Sequence, residues 1–290
     1  MKLCATGLSI CGGGIKGLIP AAELMDLERI LGKRSRDIFN TIAGTSSGGL
    51  IAASLEKMKA SEIVSVFRDN HRQIFTQKGN GVTREKYRAK SLKQFLEKIF
   101  KVERMSDIKH YNVIIPYYNL TTASPDAYTN DSDIEIIDAL MSTTAAPSYF
   151  KPYRTKNSLN ADGGLTCNNP ILYVIDDLVM KYPNADEYYI LALGTGKVEK
   201  SYSPENIVDW LTLVKDACID GNEYMAMHYA EMISKLTNKN ITIKWINPTI
   251  PQELDVIYDP DAVIPLYSIG HTQSDQMKII AQEIRSKKRV

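Results

Sequence analysis

Residues 44 to 48 read Gly44-Thr45-Ser46-Ser47-Gly48, a serine with glycine two positions to either side, preceded by an apolar run and followed by small helix-forming residues. This pentapeptide restricts the fold more than any other stretch. A serine held on a sharp strand-to-helix turn takes a strained backbone conformation, so its neighbours must be nearly free of side chain. Its hydroxyl then stands at the carboxyl edge of a sheet, beside the positive end of a helix dipole. The chain must therefore deliver a strand, a turn and a helix in that order. Met1 to Gly44 supplies the leading strands and Leu50-Ile51-Ala52-Ala53 opens the helix. Ser46 is the candidate nucleophile. Only Ser46 has glycine on both sides at that spacing, which leaves Ser47 as a helix-start residue. Glycine-serine pairs also occur in ordinary turns, so the pentapeptide alone leaves both readings open.

The surrounding pattern alternates strands with helices. Lys2–Ile10 reads as a buried strand running into glycines, and Pro20–Leu31 as a helix with Leu24, Leu27, Ile30 and Leu31 on one face and Gly32 as its stop. Ile38–Ala43 is a second strand leading into the serine turn. Helices are expected over Glu62–Phe75, Ser91–Phe100, Ile134–Thr143, Ile171–Met180, Ile207–Ile219, Asn222–Leu236 and Ser274–Ser286, and strands over Tyr111–Leu120, Tyr188–Leu193 and Ile241–Ile246. Such alternation implies an α/β fold with a mainly parallel sheet covered on both faces. With no repeat, low-complexity tract or clear linker in 290 residues, one domain over 1–290 is expected.

Composition narrows the function classes. The 44% hydrophobic and 24% charged content suits a soluble enzyme, and a net charge of +1 gives no reason to expect nucleic acid. The cysteines Cys4, Cys11, Cys167 and Cys218 are scattered, with no CxxC pair and no histidine at metal spacing, so a reduced, cytoplasmic chain without a metal or cofactor is expected. The first apolar run is cut by Gly12-Gly13-Gly14, which argues against a signal peptide, and Ile10 is too large to precede a lipoprotein cleavage at Cys11. No apolar run has the length of a membrane span, so any membrane contact is peripheral.

Two further motifs carry chemistry. Gly12-Gly13-Gly14-Ile15-Lys16-Gly17 lies between the first strand and the first helix, where converging backbone N–H groups can hold an anion. The run also satisfies GxGxxG, but a dinucleotide site needs an acid closing the next strand, and Asp37 stands before that strand instead. An oxyanion hole for a serine on the adjacent strand is the better use of these amides. Asp162-Gly163-Gly164, followed by Asn168-Asn169-Pro170, is either an ordinary turn or a carboxylate on a loop with room for substrate. Of the four histidines, His71, His110, His228 and His271, the last two follow Asp162 in the order a hydrolase triad requires, although neither lies in a turn-rich loop. Between Arg68 and Lys101 the chain is basic (Arg72, Lys78, Arg84, Lys86, Arg88, Lys90, Lys93) and broken at Gly79-Asn80-Gly81, which reads as a solvated face or as a lid for anionic headgroups.

Gly12–Gly17, Gly44–Gly48 and Asp162–Pro170 together resemble the three signature blocks of the patatin-like phospholipases, with secondary matches at Thr144–Phe150 and Leu193-Gly194-Thr195-Gly196. The resemblance spans about Leu8 to Gly196, and nothing beyond residue 200 matches a block. It implies a three-layer α/β/α patatin-like fold and a Ser–Asp dyad that works without histidine. Carried onto this chain, Ser46 is the nucleophile, Asp162 its base, and Gly12, Gly13 and Gly14 the oxyanion hole, with Lys16, Gly17, Gly44, Gly48, Gly163 and Gly164 supporting them. The implied activity is that of a metal-free lipid acyl hydrolase of the phospholipase A type, on phospholipid or another lipid ester at a transient membrane surface. The alternatives are a general carboxylesterase and a catalytically silent binding module. Some bacterial relatives are antiviral effectors switched on by a cyclic nucleotide, which adds a small-molecule activator to the expected partners. Two positions depart from the family: Cys11 stands where aspartate is usual, and Lys16 where arginine is frequent. Cys11 reads as a small buried residue at a strand end.

Overall fold

The structure is a computed structural model that describes residues 2–79, 85–199 and 201–290, without the side chains of Val208, Thr212 and Lys215. Asn80, Gly81 and Arg84 of the basic segment lie outside the described residues. The strand β1 (Leu3–Ile10) is buried along nearly its whole length, as a central parallel strand must be. Its side chains alternate between two cores. Cys4, Leu8 and Ile10 face the larger, and Ala5 faces the smaller. The same alternation splits Tyr189, Leu191 and Leu193 from Tyr188, Ile190 and Ala192 on β7 (Glu187–Leu193).

Helix α1 (Leu18–Leu31), the short α2 (Ser35–Ile38), β2 (Thr41–Gly44), α3 (Ser47–Ser54), α4 (Ala60–Ile74) and α5 (Ala89–Phe100) precede the hairpin β3 (Asn112–Asn119) and β4 (Ser124–Thr129). Then follow α6 (Ile136–Thr143), β5 (Tyr153–Arg154), β6 (Leu159–Asp162), α7 (Ile171–Lys181) and β7. The remainder is α8 (Ile207–Asp216), a π turn (Ala217–Gly221), α9 (Asn222–Leu236), β8 (Ile241–Ile246), α10 (Val263–Thr272), α11 (Ser274–Arg285) and β9 (Lys288–Arg289). The sheet order is β5-β6-β3-β2-β1-β7-β8, with β4 on β3 and β9 on β1. Helix α1 packs against α4, α10 and α11 on one face, while α7 and α9 cover the other. The result is a three-layer α/β/α arrangement.

The pairings among β1, β2, β3, β7 and β8 are parallel, so their carboxyl ends share one edge. The antiparallel pairings gather at β3, and they place the site. Strand β2 pairs with Asn112, Val113 and Ile114 of β3, while β6 pairs with Tyr117, Tyr118 and Asn119. Because β4 runs along Ile114 to Asn119 on one edge of β3, both β2 and β6 must use the other. They run in opposite directions along it and meet end to end, which brings the residues after Gly44 to the end of β6.

Local patterning predicts most of these elements, with three differences. The strand expected from Ile38 begins at Thr41, because Ser35–Ile38 forms a short helix. Strands β4, β5, β6 and β9 and helix α10 are additions. The two helices expected on either side of residue 220 form one continuous run, with Gly221 itself in helical backbone geometry.

Candidate active site

Strand β2 delivers the chain to Ser46, whose backbone stands at φ 54° and ψ −120°. A non-glycine residue there is strained by roughly 1–3 kcal/mol and persists only when its surroundings hold it. The flanking glycines are required for space. A Cβ on Gly44 would lie 2.1 Å from the Gly48 carbonyl oxygen, and one on Gly48 2.3 Å from that of Ile10. Thr143, at the end of α6, fixes the turn from outside. Its hydroxyl accepts from the Ser46 N–H at 2.9 Å and donates to the Pro116 carbonyl at 2.5 Å. Ser47 is the first residue of α3, as its position in the motif predicts.

The Ser46 hydroxyl donates to Asp162 Oδ2 at 2.7 Å, and Asp162 Oδ1 accepts the Gly164 N–H at 2.7 Å. Asp162 closes β6 and its N–H donates to the Ala145 carbonyl at 3.0 Å, so the Thr144–Phe150 block positions the carboxylate. The residue is only 5% exposed. Burial pushes its carboxyl up to about 6, against the opposing hydrogen bonds from Ser46 and Gly164. Ser46 is only half-buried, so its hydroxyl stays within reach of a substrate. Behind the carboxylate, a Cβ on Gly163 would meet the Pro116 carbonyl oxygen at 2.4 Å, while Gly164 supplies the N–H already described.

The glycine turn stands directly over this pair, since a Cβ on Gly12 would lie 2.9 Å from that of Ser46. Its three amides differ in what they meet. The Gly12 N–H donates to the Asn168 carbonyl at 3.4 Å and the Gly13 N–H to the Ser47 hydroxyl at 3.1 Å. The Gly14 N–H has no acceptor among the described residues. Asn168 Nδ2 and Thr195 Oγ1 both donate to the Gly12 carbonyl, at 3.3 and 3.0 Å. Asn169 Oδ1 accepts from Ser9 Oγ at 2.8 Å and from the Ile171 N–H at 3.2 Å. Both asparagines thus anchor the loop after Asp162 through side-chain-to-backbone bonds. Gly17 lets α1 start against Ser47, and Lys16 is ion-paired with Asp255.

Cys11 is fully buried and its thiol is pushed well up by burial, which leaves it a packing residue and no nucleophile. The four histidines take no part in the pair. His71 meets Tyr258, His110 meets Glu56 and His271 meets Asp26, while His228 is exposed on α9. Among the described residues, the Asp162 carboxylate accepts hydrogen bonds only from Ser46 and Gly164, and no group of three His, Cys, Asp or Glu is placed to hold a metal ion. A surface cleft of about 340 Å³ lined by His110, Asn112, Asn130 and Lys181 lies at the opposite edge of the sheet and shares no residue with this site.

Thr143 and Glu223 are the site's unforeseen members. Glu223, on the first turn of α9, accepts from Asn168 Nδ2 at 3.1 Å and from Asn247 Nδ2 at 2.9 Å.

A family model described as Patatin-like phospholipase matches residues 8–175. The chain is 34% identical to the cGAMP-activated phospholipase of Escherichia coli (strain TW11681), over 68% of this chain and 64% of that one. It is 33% identical to the cGAMP-activated phospholipase of Vibrio cholerae, over 69% of this chain and 66% of that one. Patatin-like protein 1 of Arabidopsis thaliana is 27% identical, over 79% and 71%. The chain thus spans slightly under two thirds of the length of the bacterial relatives.

Proposed function

The chain belongs to the patatin-like phospholipase family, and on that premise we propose that it is a lipid acyl hydrolase of the phospholipase A type, with Ser46 as nucleophile and Asp162 as base. The observation that carries the reading is the 2.7 Å hydrogen bond from a conformationally strained serine to a buried aspartate that lies above the usual carboxylate range.

In the first step Ser46 Oγ attacks the ester carbonyl carbon while its proton passes to Asp162 Oδ2. The carbonyl oxygen becomes an oxyanion facing the glycine turn. Of the three amides, that of Gly14 is unengaged among the described residues and that of Gly13 need only exchange the Ser47 hydroxyl for the oxyanion. The Gly12 amide stays with Asn168 and shapes the turn. Collapse of the intermediate breaks the ester C–O bond, and the leaving alkoxide takes the proton from Asp162. A water molecule then gives its proton to Asp162 as it attacks the acyl-serine carbonyl. Collapse returns that proton to Ser46 Oγ and frees the fatty acid. Each oxyanion-hole donor contributes on the order of 3 kcal/mol to such a barrier. The Gly164 N–H steadies the second carboxylate oxygen throughout.

A lipid surface as the place of action is supported by α8. Ile207, Trp210, Leu211 and Val214 recur at helical spacing and all are exposed, although they are large and apolar. The helix runs through the π turn into α9, where Asn222 Nδ2 donates to the Leu165 carbonyl of the Asp162 loop at 3.2 Å. The apolar stripe therefore lies on an element joined to the site. In the basic segment, by contrast, Arg68 is paired with Asp69 and Lys78 with Glu85. Among the described residues no helix is long and apolar enough to cross a membrane.

The test compares phospholipid vesicles with a short-chain nitrophenyl ester, and identifies the products from a mixed phospholipid panel by mass spectrometry. Free fatty acid plus lysophospholipid from vesicles is expected, and Trp210→Ser with Leu211→Ser reduces vesicle hydrolysis while sparing the soluble ester. Hydrolysis of the soluble ester alone assigns a general carboxylesterase. Because the bacterial relatives are named cGAMP-activated, a cyclic dinucleotide is the activator to include in both assays.

A further inference from the structure

Glu223 is a buried carboxyl that no step above uses. Its two oxygens accept from different amide groups, Oε2 from Asn168 and Oε1 from Asn247. Each amide has a second commitment. Asn168 Nδ2 also donates to the Gly12 carbonyl at 3.3 Å, and Asn247 Oδ1 accepts the Gly196 N–H at 2.9 Å. The carboxylate thus closes a ring that joins α9, the loop after Asp162, the glycine turn and the exits of β7 and β8. Only an acceptor-only side chain satisfies it. A glutamine would aim a donor hydrogen at an amide that is itself donating, and a protonated glutamic acid accepts from one of the two amides more weakly.

We propose that Glu223 is a positioning residue whose carboxylate, acting through Asn168, sets the glycine turn that faces the oxyanion. This assignment rests on the Ser46–Asp162 reading. The groups facing Glu223 come from every side: Lys16 on the glycine turn favours its charge, Asp220 on the π turn opposes it, and the Cys11 thiol after β1 lies beside it and favours its charge. Burial outweighs the favourable contacts and pushes the carboxyl up to about 7, above the value of about 6 for Asp162. As pH falls through about 7 the ring's acceptor is weakened by protonation. The contact with Cys11 adds a second point. A carboxylate at position 11 would share the space into which α9 brings Glu223.

The experiment measures kcat, KM and their pH dependence on a nitrophenyl ester for the full chain and three variants. Glu223→Gln lowers kcat by roughly ten-fold or more with little change in KM, as expected when a transition-state donor is misplaced. Its acid limb moves from near 7 to near 6. Cys11→Asp introduced with Glu223→Gln restores much of the lost kcat, whereas Cys11→Asp alone, with two carboxylates in one space, depresses it. Wild-type kcat and an unmoved acid limb in Glu223→Gln would overturn the proposal, as would a loss of kcat with the limb unmoved and no rescue. Should Glu223→Gln fail to fold, the unmodified protein decides. Its log(kcat/KM) falls with a slope approaching two below the lower midpoint if both groups must be ionised, and a slope of one excludes Glu223. Ser46 that takes no label from a fluorophosphonate in the unmodified protein marks failure of the dyad reading instead.

Discussion

Asp162 carries opposing demands, and their signs can be separated by pH. Its carboxyl lies near 6 in the folded chain against an ordinary value of 3.8. The folded state therefore holds a proton that the unfolded chain releases as pH rises from about 4 to about 6, and stability falls across that window. Activity moves the other way, since only the ionised carboxylate accepts the serine proton. Asp162→Asn removes the buried charge at nearly constant shape. We expect kcat to fall by roughly 10²-fold or more, while stability at pH 8 rises by about 1–3 kcal/mol relative to the parent. Calorimetry at pH 4 and pH 8 checks this: the variant's advantage should be present at pH 8 and largely gone at pH 4. Ser46 was legible in the sequence because its requirement is local, two glycines where a Cβ would strike a carbonyl. The value near 6 was not legible, because the burial that produces it comes from distant segments.

At the scale of elements, the site depends on two strands meeting end to end on one edge of β3. Helices α1, α4, α5, α7, α9 and α11 and strands β1, β3, β7 and β8 follow from apolar periodicity, which reports burial of a face. Strand β6 does not: Leu159–Asp162 is four residues long with two polar members, and it reads as the approach to a turn until β3 is in place beside it. Thr143 was equally hidden, standing 97 residues from the serine whose N–H it accepts. Thr143→Val keeps the shape and removes the hydroxyl, leaving the Ser46 N–H and the Pro116 carbonyl each without that partner. We expect a loss of about 1–3 kcal/mol in chemical denaturation and a fall in kcat larger than any change in KM, since the elbow is no longer held. Unchanged kcat with reduced stability would make Thr143 a packing residue only.

Over the whole molecule, the parallel strands align their carboxyl ends, and that edge gathers residues from the length of the chain. The glycine turn follows β1, the serine follows β2, Thr195 follows β7 and Asn247 follows β8. The family match ends at residue 175, yet Asn247 and Glu223 tie later segments to the same turn. Motif spacing reveals groups that react, because chemistry restricts their type and order. It does not reveal the residues that position them, because a buried acceptor can be delivered from any neighbouring helix. The central claim is that Ser46, activated by Asp162, is the nucleophile. Intact-protein and peptide mass spectrometry after exposure to a fluorophosphonate, at several pH values, tests it most directly. The account predicts a single adduct on Ser46, formed faster as pH rises through about 6 to 7, absent in Ser46→Ala and strongly slowed in Asp162→Asn. An adduct that persists in Ser46→Ala, or a labelling rate indifferent to both pH and Asp162, would contradict it.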